Sequence, residues 1–251
     1  MIIHRVAGAI RAQDWSTIAI ELIVVVVGIF LGLQVDDWNE RRKEAAREEV
    51  YLQRLLADIN EMISRHEAHE ERAKEKLNSL VVSFDALRSC TLVPEAVGPF
   101  EEVLLQHQGL PRLEVVRSSF DEMVASGALS TISNPKLKRK ISEVYSEAIS
   151  AQQFIEYFSA DLGRASDIIW RHVSFDLAPG DEGRLRRWDE WTPEGYSLSV
   201  RYEIDALCNA TTFKNALVEV YDSTKDRLGV GTEFSKELRL LRSLLEETLS
   251  R

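Results

Sequence analysis

The sequence predicts an all-α membrane protein: an N-terminal transmembrane helix that continues into a long amphipathic, coiled-coil stalk, followed by a helical bundle. Three observations predict it. Only 12 glycines and 6 prolines punctuate 251 residues rich in Leu, Glu, Ala and Arg, the balance of helices rather than of a sandwich or barrel. The apolar residues are concentrated near the N-terminus, where Ile18 to Val35 reads IAIELIVVVVGIFLGLQV. No Gly or Pro occurs between Leu33 and Pro94, so span and stalk can form one helix on the order of 100 Å long. The expected organisation is a tail over 1–14, a transmembrane helix over 15–38, a stalk helix over 39–90 and a helical domain over 91–251, with an irregular connection near 174–197.

The apolar run is interrupted only by Glu21, two glycines and Gln34, and it is long enough to cross a bilayer as a helix. Trp15 and Trp38 frame it, roughly 35 Å apart along a helix, close to the spacing of the two interfacial belts that hold an indole. A cleaved signal peptide needs small residues after the apolar core, whereas Leu33, Gln34, Val35, Asp36 and Asp37 follow, so the segment reads as an uncleaved anchor. Orientation is contested by charge. Arg5 and Arg11 precede the span, while Arg41, Arg42, Lys43 and Arg47 follow it within a mixed run containing Glu40, Glu44, Glu48 and Glu49.

After the span, apolar or semi-apolar residues recur at Leu52, Leu55, Ile59, Met62, His66, His69, Ala73, Leu77, Leu80, Phe84 and Leu87. The alternating steps of three and four describe a coiled-coil seam with one stutter between Ala73 and Leu77. Two coverings suit it equally: the chain's own C-terminal helices, or a second copy. Pro94, Gly98 and Pro99 are expected to break the helix, and PFEEVLLQHQ to form a short one ended by Gly109 and Pro111. A further helix is expected from about Leu113 to Ser126 with Gly127 as its C-cap. Asn134-Pro135 is an N-cap and first-turn pair, which should open a long helix to about Val173, its face including Leu137, Ile141, Val144, Tyr145, Ala148, Phe154, Ile155, Phe158 and Leu162. From Ser174 to Ser197 the pattern dissolves. Helix resumes near Val200 with Leu207, Phe213, Leu217, Val220 and Tyr221, is expected to be interrupted near Gly229-Val230-Gly231, and ends in a Leu-rich segment from Glu233 to Leu249.

Glu21 is the costly residue of the span, because a carboxylate in hydrocarbon must be neutralised, paired, hydrated or lifted to the interface. At about 100° per residue, Glu21, Gly28, Gly32 and Asn39 return to one side of the helix, and Gly28-x-x-x-Gly32 is the spacing that lets membrane helices approach closely. This stripe is the candidate association face. It suits a hydrogen-bonded structural role or, as the alternative, an ion-conducting ring.

His66 and His69, in RHEAHEE, share a helix face but are one residue short of the H-E-x-x-H metalloprotease spacing. They read as polar seam residues. Arg184, Arg186, Arg187, Trp188, Trp191 and Tyr196 mix basic and aromatic character, but Asp181, Glu182, Asp189, Glu190 and Glu194 cancel the charge, leaving the tryptophans to pin a loop to the bundle. Lys136, Lys138, Arg139 and Lys140 occupy several faces of a helix start and read as solvated. A net charge of −10 argues against nucleic acid as a partner. Cys90 and Cys208 lack C-x-x-C spacing, which leaves one long-range disulfide open. No P-loop, dinucleotide fingerprint or nucleophile elbow is present, so neither an enzyme nor a cofactor is expected.

IELIVVVVGIFLGLQVDDWNE resembles the N-terminal signature of a large family of bacterial membrane proteins of unknown function. The matching residues are Glu21, Gly28, Ile29, Leu33, Gln34, Trp38, Asn39 and Glu40, with Ile20 and Gly32 standing where the family carries glycine and alanine. A second patch, SGALSTISNPKLKRKISEVY, is similar to the same family's helix end at Ser126-Gly127, its Ile132-x-Asn134 and a helix ending at Tyr145. The resemblance implies a single inner-membrane span with the bulk of the chain in the periplasm, and no activity. The expected function is a membrane-anchored scaffold or partner-binding protein that associates with the bilayer and with copies of itself, and with an unidentified protein partner. The alternative is an ion-conducting or force-transmitting assembly around Glu21; an enzyme on the helical domain would need a pocket of convergent titratable groups.

Overall fold

The computed structural model describes residues 15–109, 113–179 and 196–250. It is all-α apart from one two-stranded ribbon among those residues. Helix α1, Trp15–Ser89, is unbroken for 75 residues, roughly 110 Å. Span and stalk are therefore one element, stiffened by i,i+4 pairs such as Glu61–Arg65 and Glu70–Lys74. It stops at Cys90, whose φ of 47° lies in the left-handed region; the Thr91 amide closes the turn on the Ala86 carbonyl at 3.1 Å.

Helix α2, Pro94–Gln106, begins one turn earlier than the expected break allows and carries Gly98 and Pro99 inside it. Pro94 suits the first turn, and burial of Ala96, Phe100, Val103 and Leu104 on one face holds the helix through Pro99. Helix α3, Ser118–Ala125, is shorter than expected, with Leu113 buried in extended chain ahead of it. Gly127 follows at φ 77°, the left-handed cap that glycine adopts without strain, and the single-turn α4, Ala128–Thr131, comes next. Helix α5, Pro135–Trp170, opens as its sequence requires: Asn134 Oδ1 accepts from the amides of Lys136 and Leu137 at 3.0 and 3.2 Å.

The connection expected to be irregular contains antiparallel strands β1, Ser174–Pro179, and β2, Tyr196–Arg201, paired from Ser174↔Arg201 to Pro179↔Tyr196. A lone ribbon is marginal by itself. Here Phe175 meets Trp170 edge-on at 6.5 Å, and Val200 and Tyr202 pack against the core. Arg184, Arg186, Arg187, Trp188 and Trp191 lie outside the described residues. Helix resumes at Ile204 rather than near Val200, as α6, Ile204–Asn209, and α7, Thr211–Leu249. The interruption expected at Gly229-Val230-Gly231 does not occur, because buried Val220 and Leu217 on one side and Phe234, Leu238, Leu241 and Leu245 on the other hold the helix on one register through the glycines.

Helix α7 packs against both α5 and α1 and runs antiparallel to them, with Lys140 bonded to Glu237, Arg239 to Glu67 at 3.0 Å and Asn134 to Thr248 at 3.4 Å. Two apolar clusters result. The one nearer the span joins Leu52, Leu55, Ile59 and Met62 to Ile141, Tyr145, Leu238 and Leu241; the other, at the far end, joins Leu80, Leu87, Phe100, Ile169, Phe213 and Leu217. The seam residues Leu55, Ile59 and Met62 are 0% exposed and Leu52 is 2% exposed within a single chain. Of the two coverings, the chain's own helices therefore take the seam, and an intermolecular coiled coil at these positions is corrected. A Cys90–Cys208 disulfide, with Cα atoms 5.6 Å apart, ties the end of α1 to α6 across 118 residues.

Candidate functional site

The first candidate region is the part of α1 that the domain leaves uncovered. Residues 22–43 are exposed; the most apolar window has a mean hydropathy of 2.2 and is 0% buried, so this helix is long and apolar enough to cross a membrane. Gly28 and Gly32 lie on that surface with nothing within 4 Å of where a Cβ would stand. Glu21, one helical repeat away on the same side, is partly buried, and its Oε2 is shielded from solvent with no hydrogen-bond partner among the described residues. Asn39 is exposed at the other end of the stripe. Trp38 is exposed, with the Arg42 guanidinium 5.8 Å from its ring centre, an amphipathic pair suited to a headgroup layer. Trp15 begins the helix. Gly28, Gly32 and Asn39 are thus exposed along one face with the partly buried Glu21 at its end, whereas Leu52, Leu55, Ile59 and Met62 are not part of it.

The second region is a polar layer between the two apolar clusters. His66 is buried, its ring edge-on to Phe234 at 5.4 Å, and its Nε2 has no hydrogen-bond partner among the described residues. Burial, then the neighbouring His69, push its pKa down. His69 Nδ1 lies 2.7 Å from the Arg72 guanidinium. Together with Glu70, Thr224 and Arg227, these histidines line a cavity of about 40 Å³, room for water but for little more. Among the described residues no group of three or more His, Cys, Asp or Glu side chains is placed to hold a metal ion.

One turn further along α1, Lys76 Nζ donates to the carbonyls of Gln106, His107 and Gly109 at 3.1, 2.7 and 3.4 Å. It caps the carbonyl end of α2, where a cation is favoured. Burial, with Arg227 adding repulsion, lowers its pKa to about 7. His107 beside it donates from Nδ1 to the Leu104 carbonyl, 2.9 Å away, and its pKa is likewise pushed down by burial. At the opposite end of a helix dipole, Asp58 Oδ2 accepts from the Ser119 amide at 3.0 Å and the Ser118 hydroxyl at 3.2 Å, capping α3 from α1. Glu48 does the same for the turn before α5, accepting from the Ser133 amide and hydroxyl at 3.0 Å each.

These residues make α1 the spine on which three other helices end or begin. Sequence reasoning singled out His66 and His69 but missed Lys76, Asp58, Glu48 and Arg227. Lys76 and Asp58 sit at single positions in a charge-rich helix, and their partners lie 30 or more residues away. Comparison of the chain with family models, with curated proteins and with solved structures gives no match.

Proposed function

We propose that the protein is a single-pass bacterial inner-membrane protein whose helical domain stands in the periplasm as a scaffold or partner-binding module, and that it self-associates through the Glu21, Gly28, Gly32 and Asn39 face of its span. The observation that carries this reading is the division of α1: residues 22–43 are exposed, while the rest of the same helix is the buried spine of a folded domain. An apolar helix that the described residues of its own chain leave exposed is suited to lipid or to another copy. Close backbone approach at Gly28 and Gly32 supplies the association that apolar burial cannot provide inside lipid. The Cys90–Cys208 disulfide supports the periplasmic side, since such bonds persist in oxidising compartments. The unbroken helix between span and domain also supports a force-transmitting role for the assembly.

The mass of the full chain in detergent tests self-association. The parent is expected as an oligomer, and replacing Gly28 and Gly32 together by Leu is expected to shift it toward monomer while the domain stays folded, because a Cβ at either glycine meets nothing within 4 Å among the described residues. A monomeric parent overturns the association.

A further inference from the structure

A groove of about 900 Å³ runs along the flank of the domain between α5 and α7. Ala151 and Phe154 form one wall, and Leu228, Val230 and Phe234 the other. Phe154 is 47% exposed at the mouth of the groove. Four of the charged side chains lining it are carboxylates, Glu147 from α5 and Asp226, Glu233 and Glu237 from α7, against Lys225 alone. Glu237 is bonded to Lys140, and Glu233 to the exposed Lys236 at 2.6 Å, a surface pair that an incoming cation can replace at little cost.

Gly229 stands in this groove. Glycine in a helix interior costs about 1 kcal/mol relative to alanine, and a glycine is usually kept there because a neighbour comes too close for a side chain. Among the described residues no neighbour does so here: a Cβ on Gly229 meets nothing within 4 Å, and the same holds for Gly231 on the opposite side of the helix. The helix is continuous through both, so they do not serve a break either. Gly229 is exposed, and the absence of a side chain there leaves the floor of the groove open.

We propose that this groove docks a segment of a partner protein that is basic and carries one large apolar or aromatic side chain, seated over Gly229 against Phe154 and Val230, with its lysines or arginines along Glu147, Asp226 and Glu233. The inference rests on the partner-binding reading of the domain and names the surface and the chemistry of what it binds. Apolar anchor and charged rim divide the work as they do at other interfaces, the buried side chain supplying affinity and the charges orientation.

The test uses the purified full-length chain in detergent and a short fluorescein-labelled peptide with a central tryptophan flanked by lysines, beside a counterpart with glutamates at the lysine positions. Anisotropy is expected to show the lysine peptide binding roughly tenfold or more tightly than the glutamate peptide. Gly229→Trp fills the groove from the protein side and is expected to weaken the lysine peptide by a similar factor while helicity by circular dichroism is retained. The exposed pair Asp226→Lys with Glu233→Lys is expected to reverse the preference between the peptides, and it reports on docking even where Gly229→Trp disturbs the helix. Equal binding of the two peptides, binding of neither, or a lysine peptide indifferent to both variants overturns the proposal. The oligomer mass is read separately, so failure at the groove leaves self-association standing, and a monomeric parent leaves the peptide result readable.

Discussion

Lys76 concentrates the conflict that the polar layer imposes on single side chains. Its ammonium satisfies three carbonyls at the end of α2, yet burial beside Arg227 holds its pKa near 7, against 10.5 when unfolded. Between those values the unfolded chain binds a proton that the folded chain does not, so stability rises with pH across that interval and the penalty is complete below it. Denaturation midpoints are therefore expected to climb from about pH 7 toward pH 10, and Lys76→Met is expected to flatten that climb. His66 and His107, both pushed down by burial, act lower on the scale, removing stability as pH falls below their ordinary value of 6.5. None of this was legible in the sequence. Asn134 was, because an N-cap and the amides it serves lie within three residues; Lys76 and Asp58 serve helices whose arrival beside α1 depends on the whole bundle.

At the scale of elements, what could be read depended on whether local signals agreed with packing. Helix α1 was legible over its whole length because nothing in it contradicts a helix. Pro99, Gly229 and Gly231 looked like breaks by local rule, but a helix with a continuous buried face spans one or two unfavourable positions, each costing about 1 kcal/mol for Gly and about 3 kcal/mol for an interior Pro. The β1–β2 ribbon was missed for the opposite reason: its short alternations at Phe175, Leu177, Leu198 and Val200 are too brief to register until pairing partners are brought together. Helix α3 supplies no side-chain cap of its own, and Asp58 from α1 does so instead. Asp58→Ala is expected to cost about 1 kcal/mol in urea denaturation, and Asp58→Asn less, since the amide oxygen still accepts.

Across the whole molecule, the apolar seam of the stalk announced a partner without saying which, and a periodic stripe cannot do more: Leu55 and Ile59 pack as well against α5 and α7 as against a second copy. Burial within the chain decides it. The disulfide was open for the same reason, since two cysteines 118 residues apart meet only once α5 has run beside α1 to its far end and brought α6 there. If the domain is periplasmic, protein extracted from cells under alkylating conditions is expected to change mobility on a gel only after reduction. Cys208→Ser is expected to remove about 2–5 kcal/mol, near the upper part of the range for so long a closed loop. A fully reduced pool in cells would place the domain on the cytoplasmic side.

The continuity of α1 has one more result, which is leverage. From Val35 to Ser89 the helix extends roughly 80 Å, so if its apolar end spans a bilayer, that end is the short arm of a rod whose long arm carries the domain. A change of about 10° in the angle of the short arm, the kind of adjustment a bilayer of different thickness demands, sweeps the long arm's tip through roughly 14 Å. Differences of an ångström or two in lipid thickness thus become displacements comparable to the width of a helix at the end that carries the disulfide.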